Sequence, residues 1–386
     1  MKHALFVILL SISIPCLAVD IAALNPLETI EIKPEGFKSA IKYNITLPHK
    51  YAEDVNKNYF VLFDMHPRSQ PFISGMHDWL SHNGEWPWLK TIVVTPADYN
   101  AEFAGVFEDL VANPSNQRIL DILQQGILKK VDEKYRTNGY RIFNGFMSNG
   151  ALGLYTLLNR PSMFDAYLIA SPTLNNDFAR VLSDAPTKLG AQYDGMKFLY
   201  MAIGNHNYEK AHIESFKQFE NYLAKQTNPQ LTWQSNNSEN HYYMSRPVVT
   251  LLNGIEALFD DIHHDLAADS EVSQRGVDAI ITYYDKLSKH KYGFEISAEG
   301  SLKSLAKSKV AQNPSEALEI YTKVTELYPD SAYAHASLAK ALADQGDVKK
   351  AIHVQSIALE KSKSMGQWHQ DKHQQFLDEF KNMMKH

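Results

Sequence analysis

The chain has 386 residues, 38 Lys and Arg against 44 Asp and Glu, and a single cysteine. At roughly 100–200 residues per domain the length gives two domains or three, and an apolar fraction of 44% excludes wholesale disorder. The lone cysteine excludes an intrachain disulfide and any zinc site built on two thiolates. Mild acidity without a basic block gives no reason to expect a nucleic-acid partner.

The N-terminus reads Met1-Lys2-His3, an apolar run from Ala4 to Ile14, then Pro15-Cys16-Leu17-Ala18. A short basic start, a short apolar run and small residues at the end are the pattern of a secretory signal peptide cut after Ala18. The expected mature chain is periplasmic or secreted. A lipid anchor on Cys16 is the alternative, and Pro15 just before it fits poorly. No other stretch approaches the roughly 18 apolar residues of a membrane span.

Residues 19–262 alternate short apolar runs with amphipathic helical stretches. Tyr59-Phe60-Val61-Leu62-Phe63, Thr91 to Thr95, Tyr140 to Phe143, Ala166 to Ala170, Lys197 to Ile203 and Leu231-Thr232-Trp233 read as strands. Helical spacing recurs at Ile119–Val131, Ala151–Leu158 and Ile213–Leu223. This alternation predicts an α/β fold with a doubly wound parallel sheet, whose chemistry sits at the carboxyl ends of strands. Residues 263–386 are nearly all helical in pattern. Ala317 and Ala351 are 34 residues apart, as are Ile320 and Val354, and Val324 and Ala358. That is the period of a tetratricopeptide-like repeat, visible over about 300–362. Such units stack on neighbours, so the tail is expected to hold a protein partner or to self-associate.

Asn144-Gly145-Phe146-Met147-Ser148-Asn149-Gly150-Ala151 joins a predicted strand to a predicted helix, the place of a G-x-S-x-G nucleophile elbow. Around Ser148 the downstream glycine is right and Phe146 replaces the upstream one. Around Met147 the upstream glycine is right and Asn149 replaces the downstream one. Ser238-Glu239-Asn240-His241 follows the last predicted strand, where a hydrolase of this class brings its base. His66 and Arg68, after the strand ending at Asp64, are candidates for holding an anionic substrate. The segment from His77 to Trp88 is aromatic-rich and reads either as core or as a sugar or aryl platform. Ile262-His263-His264-Asp265 lacks a partner for a metal site, and neither metal nor cofactor is expected.

Several stretches resemble the esterase branch of the α/β-hydrolase superfamily, which holds the ferric-enterochelin-esterase-like and IroE-like serine hydrolases. They are Asn58 to Asp64, Glu133 to Ile142, Asn159-Arg160-Pro161-Ser162-Met163-Phe164, Ala170-Ser171-Pro172-Thr173-Leu174, Glu239-Asn240-His241 and Asn253 to Phe259. The resemblance implies an α/β-hydrolase domain followed by an all-α tail. It further implies a serine esterase acting on a small ester, in which Ser148 attacks, His241 serves as base and Glu209 orients it. Asn149 with Met65 or His66 would form the oxyanion hole, and Arg68 would hold substrate. The departures fall at the chemistry. A gapless register puts Met147 on the family's serine, Met65 replaces a glycine, and Gly204 to Tyr208 holds no aspartate. The alternative is a hydrolase-derived binding or scaffold protein that works through its helical repeats. The residue at the elbow tip separates the two readings: a serine keeps the esterase and a methionine favours the binding protein.

Overall fold

The computed structural model describes residues 27–237 and 240–384. The signal-peptide and lipid-anchor readings, including Cys16, lie outside the described residues, as do Ser238 and Glu239. Eight strands form one sheet in the order β1-β2-β4-β3-β5-β6-β7-β8. They are β1 Leu27–Ile32, β2 Ile41–Thr46, β3 Tyr59–Asp64, β4 Thr91–Pro96, β5 Thr137–Phe146, β6 Ala166–Ala170, β7 Lys197–Ile203 and β8 Leu231–Asn237. From β4 to β8 the pairing is parallel. β1 and β2 run antiparallel at one edge, an addition to the expected parallel sheet. β1 alternates exposed and covered positions, as an edge strand with one wet face does. β3, β4, β6 and β7 are buried along their whole length, which is why they read as unbroken apolar runs.

Successive strand residues point to opposite faces, and each face has its own core. On one face Phe63, Val94, Phe143, Ile169 and Met201 pack with Leu123, Leu154 and Phe219. Those three come from the helical run over 118–134, the Ser148–Asn159 helix and the Ile213–Lys225 helix. The middle of the 118–134 run is wound as a π-helix, Ile122–Leu128, where Gly126 sits against Ile32 of β1. On the other face Leu62, Val93, Ile142, Leu168 and Tyr200 pack with Ile73 of the Gln70–Ser81 helix and Leu251 and Ile255 of the Arg246–Leu258 helix.

The second core continues past residue 262 without a break. Ile280, Tyr284, Tyr292, Leu302, Leu305 and Val324 belong to it. Phe60 is the joint: its ring lies 5.2 Å from Tyr140, 5.4 Å from Phe259 and 5.7 Å from Phe294. The Tyr292 hydroxyl, with one proton to give, has two acceptors in reach, Leu258 O at 2.9 Å and the Asp261 carboxylate, so the buried ring keeps its polar end satisfied. Beyond this joint the chain forms helices Glu299–Lys309, Pro314–Leu327, Ala332–Asp344, Val348–Lys361 and Gln367–Met383. The helices starting at Pro314 and Val348 are capped alike: Asn313 accepts from Glu316 N–H and Asp347 from Lys350 N–H. Ala317, Val324, Ala351 and Ala358 are all buried, so the positions that share the sequence period share an inward face.

The shared core makes a testable demand. Leu302 is fully buried, and Leu302→Ala should cost about 2–5 kcal/mol. Because its neighbours include the sheet face, circular dichroism and the fluorescence of buried Trp88 should shift together in one transition. A loss confined to part of the helical signal, with the Trp88 signal unmoved, would show that the tail unfolds on its own.

Candidate active site

The β5 strand ends on Phe146, and the helix that follows opens on Ser148. Between them Met147 has φ 55° and ψ −122°. A non-glycine residue there is held in a strained conformation worth roughly 1–3 kcal/mol, tolerated only where its surroundings fix it. Three backbone bonds do so. Met147 N–H donates to Ala170 O at 3.1 Å, and Met147 O accepts from Ala151 N–H at 2.9 Å and Thr173 N–H at 3.2 Å. The turn is so tight that a Cβ on Gly145 would lie 2.8 Å from Asn149 O, which requires glycine at this position. The nucleophile-elbow geometry is therefore present, with Met147 at its tip and Ser148 one residue beyond, in the first turn of the helix. The N–H groups of Ser148 and Asn149 precede the first ladder bond of that helix, as at any helix N-terminus.

A cavity of about 270 Å³ adjoins the elbow. Ser148, Asn149 and Met65 all line it, and Tyr43, Phe103 and Phe107 are among its apolar lining. The Tyr43 hydroxyl is buried and has no hydrogen-bond partner among the described residues, and burial pushes its pKa up. His66 and Arg68 are exposed and are not part of this lining. His66 N–H is already committed to Asp64 Oδ1 at 2.6 Å, and His66 Nδ1 accepts from Arg68 N–H at 3.2 Å. Asp64 is buried and accepts a further bond from Asn144 Nδ2 at 2.5 Å. Its pKa is raised, with burial as the main cause and these bonds opposing it.

Glu209 lies in the loop after β7, where the acid of a hydrolase triad belongs. It is fully buried, and its carboxylate is saturated by other partners. Oε1 accepts from Ser171 Oγ at 2.5 Å, Gly204 N–H at 3.1 Å and Arg246 Nε at 3.1 Å. Oε2 accepts from His206 N–H at 3.3 Å and Arg246 Nη2 at 3.4 Å. Arg246 is equally buried and also donates to His241 O at 3.0 Å. A Cβ on Gly204 would fall 1.8 Å from the Arg246 guanidinium, so the glycine makes room for the ion pair. The His241 side chain is exposed. Its backbone, not its ring, is what the Glu209–Arg246 unit holds.

Next to the elbow stands an aromatic group that sequence reasoning did not assemble. Tyr243 lies 5.1 Å from Phe146, 5.3 Å from Tyr208 and 6.2 Å from His206, which stacks on Tyr208. His206 Nδ1 is buried without a partner among the described residues. Arg246 gave no signal beyond its place before Pro247 at a helix start. Its partner is 37 residues away in the chain.

No family model matches the chain, and no curated protein matches it. Solved structures do. An uncharacterised protein from Capnocytophaga ochracea superposes with a TM-score of 0.65 at 15% identity over 92% of this chain and 99% of that one. An IroE-like serine hydrolase from Shewanella oneidensis gives a TM-score of 0.55 at 19% identity over 78% of this chain and 99% of that one. A siderophore hydrolase, EstA, from Aspergillus nidulans gives 0.53 at 14% identity over 67% and 99%.

The ion pair is open to a direct check. Removing one partner of a buried pair strands the other, at a cost of about 3–5 kcal/mol. Arg246→Met and Glu209→Gln should each lower the denaturation midpoint strongly, and the double variant should recover part of the loss. Simple additivity of the two single effects in a chemical-denaturation cycle would contradict the pairing. The chain shares the α/β-hydrolase-like fold of these structures, followed by a C-terminal helical region.

Proposed function

We propose that this chain is a binding protein built on an esterase fold, with no acyl-transfer relay at its elbow. Met147 at the strained tip carries the reading. A thioether has no proton for a base to remove and forms no acyl ester, so it cannot replace the serine. The engagement of Glu209 supports the same reading, because its carboxylate is already committed to Ser171, Gly204, His206 and the Arg246 guanidinium. Loss of the acid's orienting role alone costs on the order of 10⁴ in rate in the serine-protease triad. The apolar cavity beside the elbow keeps room for a small ligand. The tail offers its face to a protein partner or to a second copy, as tetratricopeptide-like repeats do. The N-terminal signal sequence would place this activity in the periplasm or outside the cell. Among the described residues no helix is long and apolar enough to cross a membrane.

One observation favours the second reading, a serine esterase acting on a small ester: Ser148, Asn149 and Met65 line one cavity. A single experiment separates the two. The purified full chain is treated with a fluorophosphonate probe beside Ser148→Ala, and hydrolysis of short p-nitrophenyl esters is followed. The binding reading requires no labelling of the folded protein and hydrolysis at the buffer rate. Labelling of the wild type that disappears in Ser148→Ala would establish the esterase instead.

A further inference from the structure

A cleft of about 1120 Å³ opens on the second face of the sheet, away from the elbow. Its floor is the outer end of the sheet, Phe198 and Tyr200 of β7 with Thr232, Gln234 and Asn236 of β8, alternate residues that share a face. The Arg246–Leu258 helix covers β6 and β7 but leaves this part of β8 open. One wall is the far end of that helix, with Asn253 and Glu256, and the segment that follows it. The other comes from Tyr283, Lys286 and His290, and Trp86 forms the rim. Met147, Ser148 and Tyr243 take no part. The cleft runs along the sheet from Met196, just ahead of β7, to Asn236 near the carboxyl end of β8.

Much of the charge in the cleft is paired internally. Two lysines face three carboxylates, and most are already paired. Lys291 Nζ lies 2.5 Å from Asp261 and 3.1 Å from Leu258 O. Asp260 Oδ1 is 2.6 Å from His264 Nδ1, and His263 Nε2 is 3.0 Å from Pro87 O. Burial lowers the pKa of His263, which favours its neutral ring. Neither a polyanion nor a polycation would find a concentrated opposite field here.

Two features point to a positive fit. The Trp86 ring lies parallel to His263 at 5.7 Å, yet Trp86 stays 59% exposed. One indole face is therefore backed by His263, and the ring, itself part of the cleft lining, keeps exposed surface for a ligand. Around it stand groups that both donate and accept. The side-chain amides of Gln234 and Asn253 make no hydrogen bond among the described residues, and Asn236 meets the Tyr200 hydroxyl at 3.3 Å. A pyranose ring matches this set: its C–H face stacks on an indole, while its hydroxyls exchange hydrogen bonds with amides, hydroxyls and a carboxylate. We propose that this cleft binds a neutral oligosaccharide, seated on Trp86 and held by Gln234, Asn253 and Glu256.

Isothermal titration of the full chain tests this, with maltohexaose, cellohexaose, chitohexaose and mannohexaose as probes. Hexagalacturonate and hexaglycine serve as the charged and peptide comparisons. At least one neutral hexasaccharide should bind saturably. Trp86→Ala should weaken it about tenfold or more, and Gln234→Ala should weaken it less. Trp79→Ala removes a tryptophan that is 74% exposed but lies outside the cleft lining, and should leave binding unchanged. Matching melting curves of all three variants would show that folding is intact, and Gln234→Ala carries the test if Trp86→Ala fails to fold. The proposal is overturned if no neutral sugar binds at about 10 mM, if binding survives Trp86→Ala unchanged, or if only the uronate or the peptide binds.

Discussion

The buried pair of Glu209 and Arg246 fixes the carboxyl end of the sheet. Two opposite charges removed from water are tolerated only when each is saturated by hydrogen bonds, and here the saturation comes from separate parts of the chain. Ser171 follows β6, Gly204 follows β7, and Arg246 opens the helix that returns across the second face. The pair thus ties three loops together where an α/β-hydrolase would assemble its relay. The same contacts consume the carboxylate that a catalytic histidine would need. Stability at this end of the sheet is obtained from the groups that would otherwise serve chemistry.

The elbow makes the complementary point. Its sharp turn is set by backbone bonds to Ala170, Ala151 and Thr173 and by the close approach of Gly145 to Asn149. None of these involves the side chain at the tip. A methionine can therefore occupy the strained position without dismantling the turn, and the fold can outlast the nucleophile. The aromatic group of Phe146, Tyr243, His206 and Tyr208 fills the neighbouring space with rings.

Much of the fold was legible because burial on both faces writes central strands as plain apolar runs. β6 and β7 match their predicted spans, and the elbow helix begins within three residues of its predicted start. β1 and β2 were not legible: short, partly wet and antiparallel, they carry mixed residues such as Glu28, Glu31 and Lys42. In the site, the ambiguity between Met147 and Ser148 was visible in the glycine spacing, but only the backbone dihedrals separate them. The role of Glu209 was out of reach, since nothing local in the sequence couples it to Arg246. The aromatic segment from His77 to Trp88 meets the core expectation only in part. Trp88 is core, while Trp79 and Trp86 are exposed.

On the proposed binding role, the elbow forms no covalent acyl intermediate. Intact-mass spectrometry of the full chain, quenched in acid within seconds of mixing with excess p-nitrophenyl acetate, tests it most directly. A single unmodified mass is expected at all times. An acetylated species that forms and then decays, mapped by peptide analysis to Ser148, would contradict it.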